Sequence, residues 1–102
     1  MKHRIDFLNI LRAIYKNPKT SQRELAQALK FSLGKLNYCL KSLQKKGFVK
    51  IKNFKRNPKK FNYLYVLTPR GIAEKTKLTL NFMKRKIREY DELKKELKGK
   101  YK

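Results

Sequence analysis

Apolar residues recur at spacings of three and four from Arg4 to Lys16, where Phe7, Leu8, Leu11, Ile14 and Tyr15 are separated by Asp6, Asn9, Arg12 and Lys16. That period is one face of an amphipathic helix, and Asn17-Pro18 ends it because the residue before a proline is pushed out of the helical region. Ser21 precedes Glu24 by three positions, the capping-box spacing in which each side chain satisfies the other's backbone N–H. A second helix is predicted from near Gln22 to near Lys30, burying Leu25, Ala26 and Leu29. Phe31 and Ser32 form a turn, with Ser32 as the N-cap of a third helix that runs to about Lys46 and is closed by Gly47. Steps of about 100° per residue put Leu33, Leu36, Leu40 and Leu43 on one face of it. Gly34, Tyr38, Lys41 and Lys45 then point the opposite way, flanked by Lys35, Asn37 and Ser42.

The period changes after Gly47. Phe48-Val49-Lys50-Ile51-Lys52 alternates as a half-buried strand does, and Tyr63-Leu64-Tyr65-Val66-Leu67 is rich in strand formers. The two are expected to pair as an antiparallel hairpin whose polar connection, Lys55-Arg56-Asn57-Pro58-Lys59-Lys60, projects as a wing. Thr68-Pro69 supplies an N-cap and a first-turn proline for a last helix predicted to reach about Lys98, before Gly99. Leu80, Met83, Ile87, Tyr90 and Leu97 form a short seam on it, broken by Lys94. So long an apolar stripe cannot all fold onto a core of this size, so part of it is expected to pack on a second copy. The fold class is mainly α with a small β-hairpin: a winged helix-turn-helix over residues 1–67, and a C-terminal dimerisation helix over residues 68–102 whose end frays.

Charge sharpens this reading. The chain of 102 residues carries 29 Lys and Arg against 7 Asp and Glu, a net charge of +22. From Asn17 to Leu67 the only acid is Glu24, so the surplus is concentrated on the helix-turn-helix and wing, as expected for a polyanionic partner. A single cysteine, Cys39, excludes a disulfide framework within the chain and fits a reducing compartment. It lies beside the apolar face of the third helix, where a small buried thiol is expected. No apolar run reaches the roughly 20 residues of a membrane helix, so the expected location is the cytoplasm. With His3 and Cys39 as the only His and Cys, no metal site or catalytic triad can be assembled, and the scattered glycines form no phosphate loop. Neither a cofactor nor a small-molecule effector is evident, and enzymatic activity is not expected.

These features define a candidate double-stranded DNA interface. Gly34 removes a side chain that would hold the third helix off a groove floor, and Lys35, Asn37, Tyr38 and Ser42 flank it to reach base edges or nearby phosphates. Asn37 is the best placed for a bidentate amide contact to adenine. Lys41 and Lys45 suit the phosphate backbone, as do Ser21, Gln22 and Arg23 at the positive start of the second helix. On the wing, Arg56 and Lys59 at the tip suit a narrow minor groove, and Lys55 and Lys60 add to its DNA-binding charge. A symmetric pair would read an inverted repeat with half-sites roughly 34 Å apart. A basic module for RNA or ribosomes, and a winged helix that binds protein, are the competing classes. RNA binding would need exposed aromatics for stacking, and protein binding an apolar exposed face on the third helix.

The phrases Ser21-Gln22-Arg23-Glu24-Leu25-Ala26, Ser32-Leu33-Gly34-Lys35-Leu36-Asn37-Tyr38-Cys39-Leu40-Lys41, Lys46-Gly47-Phe48-Val49-Lys50 and Tyr65-Val66-Leu67-Thr68-Pro69-Arg70-Gly71-Ile72 resemble the MarR-type winged-helix regulators. The small subgroup associated with extracellular polysaccharide gene clusters is the most similar. The resemblance runs from about residue 4 to residue 97. It implies a dimeric transcription regulator with Ser32, Lys35, Asn37, Tyr38 and Lys41 at recognition-helix positions, and a link to surface polysaccharide genes. Larger MarR proteins dimerise through helices at both termini with a ligand pocket between them; this chain has only a short first helix.

Overall fold

In the computed structural model of the chain, which describes residues 4–18, 20–52 and 63–100, the elements are α1 (Arg4–Lys16), α2 (Gln22–Leu29), α3 (Leu33–Lys45), β1 (Val49–Lys52), β2 (Leu64–Leu67) and α4 (Pro69–Lys100). Local chemistry explains most of these boundaries. Glu24 N–H donates to Ser21 Oγ at 3.2 Å while Ser21 N–H donates to Glu24 Oε1 at 3.2 Å, so the capping box forms as its spacing requires. Lys30 follows α2 in the left-handed region at φ 58°, and Phe31 N–H returns to the Ala26 carbonyl at 3.0 Å, which turns the chain sharply into α3. Lys35 N–H donates to Ser32 Oγ at 3.1 Å, making Ser32 the N-cap of α3. At the other end Gly47 adopts φ 79°, a conformation glycine enters without steric cost.

The strands pair antiparallel with Val49 opposite Leu67, Lys50 opposite Val66, Ile51 opposite Tyr65 and Lys52 opposite Leu64. Val49 is buried, Ile51 half-buried, and Lys50 and Lys52 are exposed, the alternation expected of a strand with one face on a core. A further bridge joins Ser21 to Leu64, and Tyr65 N–H donates to the Thr20 carbonyl at 3.2 Å. The residues leading into α2 thus lie against the β2 edge of the two-stranded sheet through a single bridge.

One core holds these elements together. Leu8, Ile10, Leu11 and Ile14 of α1 pack with Leu25 and Ala26 of α2, Leu36, Cys39, Leu40 and Leu43 of α3, Val49 of β1, Tyr65 of β2 and Leu78 of α4. Burying each large aliphatic side chain contributes about 1.5–3 kcal/mol. The α4 helix is joined to the rest at its first turn. Thr68 N–H donates to the Phe48 carbonyl at 3.1 Å, Gly71 N–H donates to Thr68 Oγ1 at 3.0 Å, and the Thr68 hydroxyl donates to the Gly47 carbonyl.

Two expectations need correction here. Leu33 is 49% exposed and stands outside the core, because a first-turn side chain leans toward the helix N-terminus and away from the packed face; the buried face is Leu36, Cys39, Leu40 and Leu43. The last helix does not stop before Gly99 but runs through it to Lys100, since an interior glycine costs only about 1 kcal/mol.

Candidate nucleic-acid interface

The α3 helix is the best-defined part of the site. Its buried leucines press it into the core, and the opposite side presents Gly34, Lys35, Tyr38, Lys41 and Lys45 exposed, with Asn37 and Ser42 half-buried beside them. A Cβ added at Gly34 would meet no atom within 4 Å, so this stretch of backbone is bare. Tyr38 is 61% exposed. The exposed face of α3 is therefore polar, cationic and short at its N-terminal end.

Lys35 is held within the chain. Its Nζ lies 3.3 Å from Asp6 Oδ2 and 4.2 Å from the centroid of the Phe31 ring, so α1 and the turn before α3 fix where this ammonium sits. Asp6 and Lys35 are 29 positions apart, too distant for a local sequence pattern to reveal the pair. Partial solvent exposure keeps such a pair weak, so its effect is to orient the cation more than to stabilise the fold.

At the start of α2 the expected residues separate. Ser21 sits in the capping box, where its oxygen accepts but its hydroxyl proton remains to donate, and Arg23 is exposed. Gln22 is only 6% exposed, and its Oε1 accepts from the Tyr65 hydroxyl at 3.4 Å; it belongs to the junction between α2 and β2 rather than to the surface where a phosphate contact was expected. Ser32 likewise spends its oxygen on the α3 cap and is exposed, with a hydroxyl proton left to donate. An open groove of about 390 Å³ runs between α2 and α3, lined by Arg23, Ala26, Gln27, Lys30, Phe31 and Leu33. Leu33 was missed as a surface residue; its position as the first helical residue after an N-cap serine was the available signal. Lys55, Arg56, Lys59 and Lys60 lie outside the described residues, as do Lys19 and His3.

Burial of Cys39 raises its thiol pKa above the ordinary 9.0, and the nearby Asp6 carboxylate adds to the rise while Lys35 opposes it. The thiol is fully buried in the core, where it packs as a small apolar side chain. Along α4, Leu80, Met83, Ile87, Tyr90 and Leu97 are 51–62% exposed. Leu93, also exposed, adds an apolar residue beside that row which the seam left out. No helix of the described residues is long and apolar enough to cross a membrane.

Together these features define a winged helix-turn-helix carrying a long C-terminal helix, the fold of MarR-type regulators. Residues 8–50 match a family model described as winged helix-turn-helix DNA-binding. Among solved structures, Staphylococcus aureus MarR in complex with salicylate and kanamycin is 21% identical, with a TM-score of 0.73 over 85% of this chain and 57% of that one. A mutant MarR from E. coli complexed with operator DNA is 27% identical, with a TM-score of 0.61 over 72% of this chain and 51% of that one. Streptococcus pneumoniae FabT in complex with DNA is 19% identical, with a TM-score of 0.64 over 86% of this chain and 59% of that one. The chain thus spans between 51% and 59% of the length of these three proteins. A comparison with curated proteins yields no match.

Proposed function

We propose that the chain is a cytoplasmic transcription regulator that binds double-stranded DNA sequence-specifically as a homodimer. The observation that carries this reading is α3: anchored by buried leucines, bare at Gly34, and cationic along the side turned to solvent. A helix so held can enter a major groove and bring Asn37, Tyr38 and Ser42 to base edges, while Lys41 and Lys45 take phosphates. Leu33, beside the groove between α2 and α3, is suited to an apolar contact with a thymine methyl. Arg23 and the hydroxyls of Ser21 and Ser32 suit the phosphates at either margin, and the wing cations Lys55, Arg56, Lys59 and Lys60 suit the adjacent minor groove. Lys35, oriented by Asp6, adds a positive charge beside Gly34.

Leu80, Met83, Ile87, Tyr90 and Leu97 supply the dimer interface, an exposed apolar row that a second copy would cover. DNA complexes of similarly folded proteins support this reading. Surface polysaccharide genes as the target rest on sequence resemblance alone. A small-molecule effector forms no part of the proposal.

Selection of bound fragments from random duplexes at about 0.2 M salt tests it, because lower salt lets a protein this basic bind any DNA. Enrichment of an inverted repeat is expected. Asn37→Ala should change the preferred sequence, and replacing Lys41 and Lys45 with Ala should weaken all sequences alike. No enrichment, with single-stranded RNA competing effectively against duplex, would overturn the proposal in favour of an RNA-binding module.

A further inference from the structure

The α4 helix has two apolar faces. Leu78 is buried in the core and Phe82 packs against it, while Leu80, Met83, Ile87, Tyr90 and Leu97 stay exposed. At about 100° per residue these sets fall on different sides of the helix, their mean directions roughly 130° apart. One side holds the domain, and the other is free for a second copy.

Charge decides how that copy lies. Residues 80–88 carry Lys84, Arg85, Lys86 and Arg88 with no acid, a net charge of +4. Residues 89–97 carry Glu89, Asp91, Glu92 and Glu96 against Lys94 and Lys95, a net charge of −2. A parallel, in-register pair would set the two cationic halves side by side and would face Lys94 with the partner's Lys94 inside the seam, where like charges are destabilising. Reversing one helix sets each cationic half against the acidic half of the other. It also holds the two strongly basic domains apart.

We propose that two copies pair through this stripe as an antiparallel coiled coil. Leu80 meets the partner's Leu97, Met83 meets the partner's Lys94, and Ile87 meets the partner's Tyr90, each contact occurring twice about a two-fold axis. In this register Lys94 lays its methylene stem on a methionine with its ammonium reaching outward, and Lys84 stands beside the partner's Asp91. The inference rests on the homodimer reading and adds the direction and register of pairing. It also sets a length. At 1.5 Å rise per residue, the two Leu78 positions, where each α4 crosses its own core, lie roughly 32 Å apart along the rod, close to the roughly 34 Å of one duplex turn.

Disulfide trapping under mild oxidation tests the arrangement on the full chain, with Leu80→Cys, Leu97→Cys and the double variant compared. Both positions are exposed in the single chain, so the domain should keep its helical circular dichroism. The native protein, whose only thiol is the buried Cys39, serves as blank. The antiparallel register predicts that most of the double variant shifts to a covalent dimer, while each single variant stays in the monomer band, because like positions lie roughly 25 Å apart along the rod. Ready crosslinking of Leu97→Cys alone would overturn the antiparallel register and leave the homodimer intact. A monomeric mass for the native protein in sedimentation equilibrium, with no trapping in any variant, would overturn the homodimer as well.

Discussion

Gly71 is the position at which one methyl group should do the most damage. A Cβ built there overlaps the Phe48 carbonyl oxygen and lies 2.9 Å from its carbonyl carbon; both are backbone atoms, and neither can rotate away. Gly71→Ala must therefore push the first turn of α4 off the end of β1. Forcing a methyl into a packed contact costs about 1–3 kcal/mol, and loosening the Thr68 cap, which bonds Gly71 N–H at 3.0 Å, adds about 1 kcal/mol. The intrinsic preference of alanine over glycine in a helix returns about 1 kcal/mol. The net loss is roughly 1–3 kcal/mol, or a fall in Tm of roughly 5–20 °C for a domain of this size. Thermal unfolding followed by circular dichroism at 222 nm measures it, with Gly99→Ala as control because a Cβ there meets nothing within 4 Å. An unchanged or raised Tm for Gly71→Ala would refute the close approach of α4 to Phe48.

Gly34→Ala should separate stability from binding: the added methyl meets nothing in the fold, so Tm should rise by a few degrees, about 0.5–1 kcal/mol, while operator affinity measured by fluorescence anisotropy falls. Tyr65→Phe removes the donor to Gln22 Oε1 and should cost about 1 kcal/mol in urea unfolding. Burial raises the Cys39 and Tyr65 pKa values above their ordinary 9.0 and 10.0. The folded state therefore holds protons that the unfolded chain releases in alkali, so stability should be full below pH 9 and decline as pH climbs through the raised values. Unfolding curves between pH 7 and pH 11 would reveal that slope, and Cys39→Ala should reduce its first part.

The sequence announced the elements whose signals are local. The capping box at Ser21 and Glu24, the cap at Ser32, the glycine after α3 and the Thr68-Pro69 start each act within one turn of the chain, and each appears where its residues put it. What escaped depends on contacts between distant segments. Gln22 reads as a polar surface residue until Tyr65, 43 positions away, arrives beside it. The bridge between Ser21 and Leu64 is too short to leave a period. Leu33 fits the leucine stripe on a helical wheel, but a wheel ignores the backward lean of side chains in a first turn. The candidate interface was legible as a face, through its lysines and Gly34. The tether of Lys35 to Asp6 was not, because no spacing encodes it.

Thr68 ties α4 to the end of α3. Its hydroxyl grips the carbonyl of the glycine that ends α3, and its amide grips the next residue along, so no slack tether separates the two helices. Joined through their rods, two copies would behave like callipers with a locked jaw width: an operator whose halves are moved by half a turn should lose one arm of the grip, where a hinged protein would reach across.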